Sequence, residues 1–332
     1  MYLEHLMYIN TNSETRAGSY KLMRDLDFQD SSNYLNLLNK IAWTTGSGWN
    51  PIGYIHDNSV VGFTGNFNGN NKKIKNLYIN KPLMNNLGLF GVIKPNANIS
   101  NLILENVNIT GQNYVSGLVS DNGGNISNCQ VSGLVNSPSI NTSNYVIGGL
   151  AGLNYGTITN CIFSGYVSGV DDVGGFIGNL DLWSGAYDSR AAGNVIGERI
   201  VGGFVGRSEQ GSIRRSFSTG NVSGSSEYIG GFIGSISGTS NITENYSTGN
   251  VINTGGFSVG GFAGGANSVN PGLESYWDMN TSGTTTSAFG IGKTTTEMKT
   301  QGTFTDWNFT DIWEIDSTIN NGYPYLQDNS PQ

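Results

Sequence analysis

A short unit of two glycines, an apolar residue, any residue and a further glycine recurs along most of this chain. Five full copies lie at 148–152, 174–178, 202–206, 230–234 and 260–264, and two looser copies lie at 88–91 and 116–119. Measured between equivalent glycines (88, 117, 149, 175, 203, 231 and 261), the spacings are 29, 32, 26, 28, 28 and 30 residues. Self-similarity with a period of about 20 to 50 residues is the signature of a solenoid, a propeller or a repeat array.

Each period also carries apolar positions and turn residues at fixed places. A Val or Ile lies two residues before each of these glycines from Gly117 onwards, and a Leu or Phe follows each of them directly. An Ile-x-Asn unit lies at 74–76, 99–101, 126–128 and 158–160, and a Gly-Asn-Val unit at 193–195, 220–222 and 249–251. Three short β-type runs separated by Gly, Asn and Ser therefore fill each period. None contains an uninterrupted helical pattern of about ten residues.

Three strands per period predict an all-β parallel β-helix, or β-solenoid, with about seven coils of 26–32 residues. Stacked coils lie about 4.8 Å apart, so equivalent residues lie above one another. The Val/Ile and Phe positions then become interior stacks. The asparagines at 76, 101, 128 and 160 are expected to form one ladder at a turn, because Asn tolerates the left-handed backbone conformation and can hydrogen-bond along the stack.

The flanks lack the repeat, as the caps of a solenoid should, since an uncovered last coil exposes a strand edge. We expect an N-terminal cap with the first strands at 1–80, the coils at 81–270 and an aromatic-rich C-terminal cap at 271–332, all in one continuous domain. Short helices are expected at 3–9 and 294–299, and a strand from Tyr20.

Composition excludes two classes of partner. With 16 Lys and Arg against 24 Asp and Glu, the net charge is −8, and the few cations are scattered. A nucleic-acid surface needs clustered cations, so nucleic acid is not an expected partner. No apolar run approaches the length of about 18 residues that spans a bilayer, so membrane insertion is not expected either. The N-terminus lacks a basic-then-apolar export signal, which fits a module from a longer exported chain.

The repeat units resemble the GLUG-motif repeats of bacterial and archaeal surface proteins. The segments 49–53, 63–70 and 74–79 resemble the stretch that opens such arrays, and Asn-Gly-Tyr-Pro-Tyr-Leu at 321–326 resembles their close. The resemblance covers nearly the whole chain and implies a right-handed parallel β-helix in an adhesin-like protein. GLUG repeats also accompany zinc metalloproteases that cut immunoglobulin A. The peptidase motif His-Glu-x-x-His is absent here, because Leu6 follows His5 and Asp57 follows His56.

The resemblance carries no activity. Together with the low charge and the lack of a convergent catalytic set in the sequence, it predicts a non-enzymatic module of a cell-surface or secreted protein, which acts in adhesion, in carbohydrate or partner binding, and as a rigid spacer. The implied partners are a surface glycan or a host or cell-surface protein, with self-association through the coil ends as a further expectation. The implied location is extracellular or at the cell surface, and no cofactor is expected. Two alternatives remain: a polysaccharide-active β-helix enzyme (glycoside hydrolase or lyase), and a subunit of an extracellular filament or phage fibre.

Acidic residues recur at two places in the coils. Asp171, Glu198 and Glu227 lie four or five residues before successive repeat glycines, and Asp181 and Glu209 lie six residues after theirs. Stacked carboxylates could bind Ca²⁺ through oxygen ligands, or serve as the acid and base of a glycosidase or lyase. A solvated loop edge partnered by Arg side chains is the third interpretation. The register also places Asp188 under Arg215, which predicts an ion pair.

Aromatic residues near the ends and in the loops are candidate sugar-binding residues. Tyr54, Trp183, Trp277 and Trp307 could stack on sugar rings, although packing within the caps is the alternative use.

The two cysteines, Cys129 and Cys161, lie 12 residues after their repeat glycines and should be stacked neighbours. Strand spacing is compatible with a disulfide, but parallel in-register geometry suits the bond poorly. We expect two buried free thiols, and no metal site without His or further Cys nearby.

Overall fold

The structure is a computed structural model that describes residues 2–56, 59–138, 145–255, 257–267 and 274–331. Its coils are built from three parallel sheets. The first sheet has six strands: Val115–Ser116, Val146–Gly148, Asp172–Gly174, Ile200–Gly202, Tyr228–Gly230 and Ser258–Gly260. The second has seven: Phe90–Ile93, Val119–Asn122, Ala151–Asn154, Ile177–Leu180, Val205–Glu209, Ile233–Ser237 and Ala263–Asn267. Seven turns of a parallel β-solenoid confirm the predicted fold class.

The third sheet is the largest, because most coils contribute two or more strands to it. Its 18 strands are Ser19–Lys21, Leu26–Asp27, Asn66–Lys75, Tyr78–Asn80, Asn98–Thr110, Asn125–Ser127, Gln130–Asn136, Thr157–Thr159, Ile162–Ser168, Gly185–Tyr187, Arg190–Ala191, Asn194–Ile196, Ser212–Ser218, Val222–Gly224, Asn241–Ser247, Val251–Asn253, Ser275–Asp278 and Ile291–Lys293. The sheet thus begins at Ser19 and ends at Lys293. Its first strands lie in the segment 1–80, predicted as a cap with the first strands, and its last two lie after residue 270, in the segment predicted as the C-terminal cap.

The remaining elements are short. Two antiparallel pairs join Tyr54–His56 to Ser59–Val61 and Trp313–Glu314 to Tyr325–Leu326. The α-helices are Leu3–Tyr8, Ser13–Arg16, Leu37–Thr44, Met279–Ser282 and Thr295–Met298, and the 3₁₀ helices are Ser31–Asn33, Gln301–Thr303, Asn320–Gly322 and Gln327–Asn329. Within the described ranges, no helix is long and apolar enough to cross a membrane.

The bore of the solenoid is filled by in-register columns of apolar side chains. The Val and Ile before the repeat glycines pair directly from coil to coil, as Val173 does with Val201. The Phe after the glycine forms a stack: ring centroids of Phe176 and Phe204 lie 4.6 Å apart, and those of Phe204 and Phe232 lie 4.9 Å apart with nearly parallel planes. Interior stacks of like residues confirm the prediction from the repeat.

The repeat glycines allow the backbones of successive coils to approach at the corner between the first and second sheets. A Cβ added at Gly203 would lie 2.1 Å from the carbonyl oxygen of Gly231 in the next coil. Real Cβ atoms do not come so close to backbone oxygen. Glycine is required here by close backbone approach.

One turn of the third sheet holds a column of residues in the left-handed conformation. Asn101, Asn128 and Asn160 each have φ of 53°. The side-chain amide of Asn160 donates to Oδ1 of Asn128 at 2.8 Å, and that of Asn128 donates to Oδ1 of Asn101 at 3.2 Å. Further along, the same column continues as Asp188 and Arg215, both with φ of 52°. The expected ladder is therefore present, and an ion pair replaces its amides in the later coils.

Asn76 does not belong to this ladder, so that part of the prediction is wrong. Its amide donates to Oδ1 of Asp27 at 2.8 Å, and its Oδ1 accepts from Asn106 at 2.6 Å. The early coils have longer strands in the third sheet, and each contains two left-handed turns. Asn76 lies at the second turn, whereas the side-chain amide of Asn101 donates to Oδ1 of Asn68 in the preceding coil at 3.3 Å.

The C-terminal segment covers the flank of the solenoid as well as its end. It builds a second buried cluster on the outer face of the third sheet, with these members: Phe217, Tyr246, Tyr276, Met298, Phe304, Trp307, Trp313, Tyr323 and Leu326. The Asn329 amide donates to the carbonyl of Asp188 at 3.1 Å, so the tail runs back over several coils. The predicted helices at both ends are present as Leu3–Tyr8 and Thr295–Met298.

Cys129 and Cys161 are free, fully buried and adjacent. The backbone N–H of Cys129 donates to Sγ of Cys161 at 3.3 Å. Burial raises the pKa of the Cys161 thiol well above its ordinary value.

We predict that neither thiol reacts with a disulfide dye while the chain is folded, because both thiols are fully buried and the dye cannot reach them. Both should react at once in denaturant. Absorbance of the released dye, with and without guanidinium, measures this. Rapid reaction of the native protein would contradict the described burial.

Candidate functional site

The first predicted acidic column is interrupted by a cation. The pairing of Val173 with Val201 and of Ile200 with Tyr228 places Asp171, Arg199 and Glu227 in one row. Arg199 forms an ion pair with Asp171, whose side chain is almost fully buried. Glu198, which is exposed, lies one position out of this row. Glu198 lies in the bend before the strand Ile200–Gly202, so Asp171 and Glu227 share a row that Glu198 does not join.

A second ion pair links the first and second sheets. Asp172 is 7% exposed and accepts from Nε of Arg207 at 3.0 Å on each carboxylate oxygen. Burial, which outweighs the hydrogen bond from Arg207, raises the pKa of Asp172 to about 6. Among the coil acids described above, Asp172 has the pKa that departs furthest from its ordinary value. It was not among the residues predicted from the sequence.

We predict that Asp172 makes the chain less stable as pH rises from about 4 to about 6. The pKa of this group is higher in the folded state (about 6) than its ordinary value of 3.8. Its contribution is therefore fully present below pH 3.8 and is lost as pH rises through 6. The loss is up to about 3 kcal/mol for a shift of about two pKa units.

Melting temperatures of wild type and Asp172→Asn, followed by circular dichroism from pH 4 to pH 7, check this. The variant cannot ionise at this position, so the difference between the two curves isolates Asp172. Parallel curves across this range would contradict the prediction.

The other acidic pair lies where the register predicts. Leu180 pairs with Ser208, which places Asp181 beside Glu209. Oδ1 of Asp181 accepts from the backbone N–H of Leu182 at 2.6 Å, and Glu209 lies 3.9 Å from Nε of Arg207. Over the described ranges, no three His, Cys, Asp or Glu side chains come together as a metal site would require.

The predicted ion pair between Asp188 and Arg215 is formed. Arg215 donates in bidentate fashion, from Nε at 2.5 Å and from an Nη at 2.9 Å. The pair lines a groove of about 350 Å³ between the third sheet and the C-terminal segment, which contributes Asp311 and Asp328.

The four candidate aromatic residues separate into two pairs. Trp277 and Trp307 are 5% and 6% exposed. Trp277 packs in the main core, and Trp307 packs in the second cluster with its Nε1 donating to the carbonyl of Glu274 at 3.1 Å. Neither indole presents a face to solvent, so neither can stack on a sugar ring. The two side chains pack within the core and the C-terminal cap instead. The prediction that they are sugar-binding residues is therefore wrong. Trp183 is 89% exposed and Tyr54 37% exposed.

Trp183 lies at the tip of a loop between the second and third sheets with φ of 62°. This is a left-handed conformation that a bulky residue rarely adopts. Leu182 beside it is 45% exposed, and Tyr155 of the preceding coil is 51% exposed. An apolar side chain held outward by an unfavourable backbone indicates a contact surface, because folding does not require it.

Tyr54 lines a cleft of about 410 Å³ near the N-terminal end, within the usual size range of small-ligand sites. Three segments form its walls, contributing in turn Met7 and Asn10; Asn50, Pro51, Tyr54 and Ile55; and Lys81, Met84, Asn85, Asn86 and Leu87. The side chain of Asn10 fixes the middle segment: its Nδ2 donates to the carbonyl of Pro51 at 2.8 Å, and its Oδ1 accepts from the N–H of Gly53 at 2.8 Å.

Lys81 is the residue of this cleft that the sequence did not reveal. It follows the strand Tyr78–Asn80 and is only 8% exposed. Its Nζ donates to the carbonyl of Trp49 at 2.9 Å and to Oδ1 of Asn50. A lone Lys before a Pro carries no recognisable pattern, and only the fold brings it into a cavity.

Three similarities to known proteins accompany this geometry. Residues 197–223 match the family model of the GLUG motif. The chain is 32% identical over 242 residues to halomucin of Haloquadratum walsbyi, which covers 73% of this chain and 2% of halomucin. A solved structure of a proposed immunoglobulin A1 protease from Bacteroides ovatus has a TM-score of 0.56 at 18% identity, over 93% of this chain and 86% of that one. At this identity the last likeness shows the fold alone.

Proposed function

Taking the chain as a GLUG-motif β-solenoid, we propose that it is a non-enzymatic module of a secreted or cell-surface protein that binds a glycan and holds it on a rigid stem. Similarity to halomucin and the GLUG match support the surface location. The chain spans about 2% of halomucin's length, so the proposal concerns a module rather than a whole protein.

The single observation that carries binding is Trp183. Its indole is 89% exposed at a loop tip, on a backbone with φ of 62°. Indole faces supply large contact area with little loss of conformational freedom, and aromatic faces suit the apolar faces of sugar rings. Tyr54, at the N-terminal cleft, offers a second aromatic surface.

The acids of the coils support binding over hydrolysis. Asp171 and Asp172, both buried, are each paired with an arginine. A glycosidase needs two carboxyl groups that face a common sugar. Glu227 shares its row with Asp171, whose carboxylate is already paired with Arg199, and Glu198 lies outside that row. The polysaccharide-active enzyme remains the alternative, and the raised pKa of Asp172 is the observation that favours it.

The test is a glycan array and a polysaccharide-digestion screen on the purified chain, each with and without Ca²⁺. We expect binding without new reducing ends or unsaturated products. Trp183→Ala should lose binding to a hit that this loop contacts, while Phe257→Ala, which removes an aromatic ring that is 92% exposed elsewhere, should keep it. Because both side chains are exposed, neither change should alter the melting temperature.

Cleavage that disappears in Asp172→Asn would replace this proposal with the enzyme. Binding that requires Ca²⁺ would reveal a cation site that the described carboxylates do not form. Absence of binding and of cleavage would favour the third reading, a filament or fibre subunit that self-associates through its coil ends. Mass photometry over a wide concentration range then decides, since a filament subunit must form species larger than the monomer.

A further inference from the structure

The ammonium group of Lys81 lies in the N-terminal cleft without an anionic partner among the described residues. It donates hydrogen bonds to two neutral oxygens, the carbonyl of Trp49 and Oδ1 of Asn50. No other described residue that lines the cleft is charged. An ammonium carries three N–H donors, so two partners leave it short of one acceptor.

Buried charges in proteins are normally paired, because removal from water is unfavourable unless an opposite charge compensates. Burial lowers the pKa of Lys81, and no carboxylate among the described residues opposes this shift. Lys73 and Lys75, by contrast, form surface ion pairs with Glu105 at 3.0 and 3.8 Å. Among the described residues, the positive charge of Lys81 is therefore uncompensated.

We propose that this cleft binds an acidic sugar unit, whose carboxylate or sulfate group supplies the missing acceptor and negative charge to Nζ of Lys81. A charge-assisted hydrogen bond to a partly desolvated ammonium is stronger than a neutral one. The cleft thereby selects acidic over neutral units of a glycan. This inference rests on the proposed function, since it names the class of glycan that one surface of the module takes.

The rest of the cleft suits a sugar ring more than a simple inorganic anion. Tyr54 and Ile55, 37% and 43% exposed, form an apolar side, and Met84 lies 55% exposed at its rim. Asn50 and Asn85, both exposed in the lining, provide amide N–H groups of the kind that pair with sugar hydroxyls. An apolar wall with a few polar groups that fix orientation is the usual composition of a small-molecule site.

The test places a charge at the rim without touching the buried lysine. Met84→Glu introduces a carboxylate beside the cleft, and Met84→Gln adds a side chain of the same size without charge. Because Met84 is exposed, both variants should fold, which melting temperatures verify. Three probes are used in isothermal titration calorimetry: an oligogalacturonate, the same oligosaccharide with its carboxyl groups reduced to alcohols, and a sulfated galactose oligosaccharide.

We expect wild type and Met84→Gln to bind at least one acidic probe, and the carboxyl-reduced probe about tenfold or more weakly. Met84→Glu should weaken the acidic probe about tenfold and leave the reduced probe unchanged. Which acidic probe binds more tightly separates a carboxylate ligand from a sulfate ligand. Lys81→Met keeps the length of the side chain. If this variant melts like wild type, it should bind the acidic probes no more tightly than the carboxyl-reduced probe.

Two results would overturn the inference. Equal affinity for the carboxyl-reduced probe and for both acidic probes would do so while leaving glycan binding intact. Equal binding of the acidic probes by Met84→Glu and Met84→Gln would place the anion elsewhere on the module. If no glycan of any charge binds the chain on the array, the proposed function itself fails, so the two failures can be told apart.

Discussion

Replacing Phe204 by Ala should lower the free energy of unfolding by about 3–5 kcal/mol, the range for deleting a buried aromatic side chain. The ring is fully buried, with Phe176 on one side at 4.6 Å and Phe232 on the other at 4.9 Å. Removal leaves a cavity with an aromatic wall above and below. These walls lie at corners between strands that the parallel ladders fix, so little collapse can fill the cavity.

Guanidinium unfolding followed by circular dichroism measures the effect, and Phe257→Ala is the matched control. The Phe257 side chain is 92% exposed, so its loss should change the midpoint little. In a repeat protein a local cavity can also separate the two halves of the array into distinct transitions. An unchanged midpoint for Phe204→Ala would mean that the stack is not the core of the coils.

Replacing Gly203 by Ala should destabilise the chain by about 3 kcal/mol or more, since a methyl group must enter a space that backbone already fills. The new Cβ would lie 2.1 Å from the carbonyl oxygen of Gly231. That oxygen belongs to the next coil, so relief requires the two coils to separate at the corner between the first and second sheets. One added carbon should therefore have an effect comparable to the loss of a whole ring.

Gly302→Ala is the control for this substitution, because no atom lies within 4 Å of a Cβ at Gly302. There the added methyl should be neutral or slightly stabilising, through reduced freedom of the unfolded chain. Thermal melts of the two variants against wild type provide the comparison. A Gly203→Ala protein that melts like Gly302→Ala would show that the corner has room the described geometry does not contain.

The coils were predictable because stacking brings each residue into contact with the residue at the same position in the next coil. The Phe and Val columns and the ion pair of Asp188 with Arg215 all follow from counting residues between glycines. If the number of residues to the repeat glycine differs by one between two coils, the two residues no longer lie at equivalent positions. Glu198 lies five residues before its repeat glycine and Asp171 four before its own, and that difference separates them in space.

Contacts outside the repeat could not be read in this way. The helix Leu37–Thr44 and the first strands of the third sheet carry no Gly-Gly unit, although Trp43 of that helix packs edge-on against Trp49 at 5.1 Å between ring centroids. The return of the tail to Asp188 depends on one amide of Asn329 more than a hundred residues away. Lys81 is buried by three segments distant in sequence, so its environment exists only in the folded chain.

In-register pairing gives each coil an upper and a lower surface of the same pattern, as the stacked Phe204 and Phe232 illustrate with planes 2° apart. A stretch of gene that encodes one full coil can therefore be copied or deleted by recombination without disturbing the residues at either seam. The length of the solenoid can therefore change during evolution by one coil at a time. Lineages could lengthen or shorten their stems while the sites at the ends stay as they are.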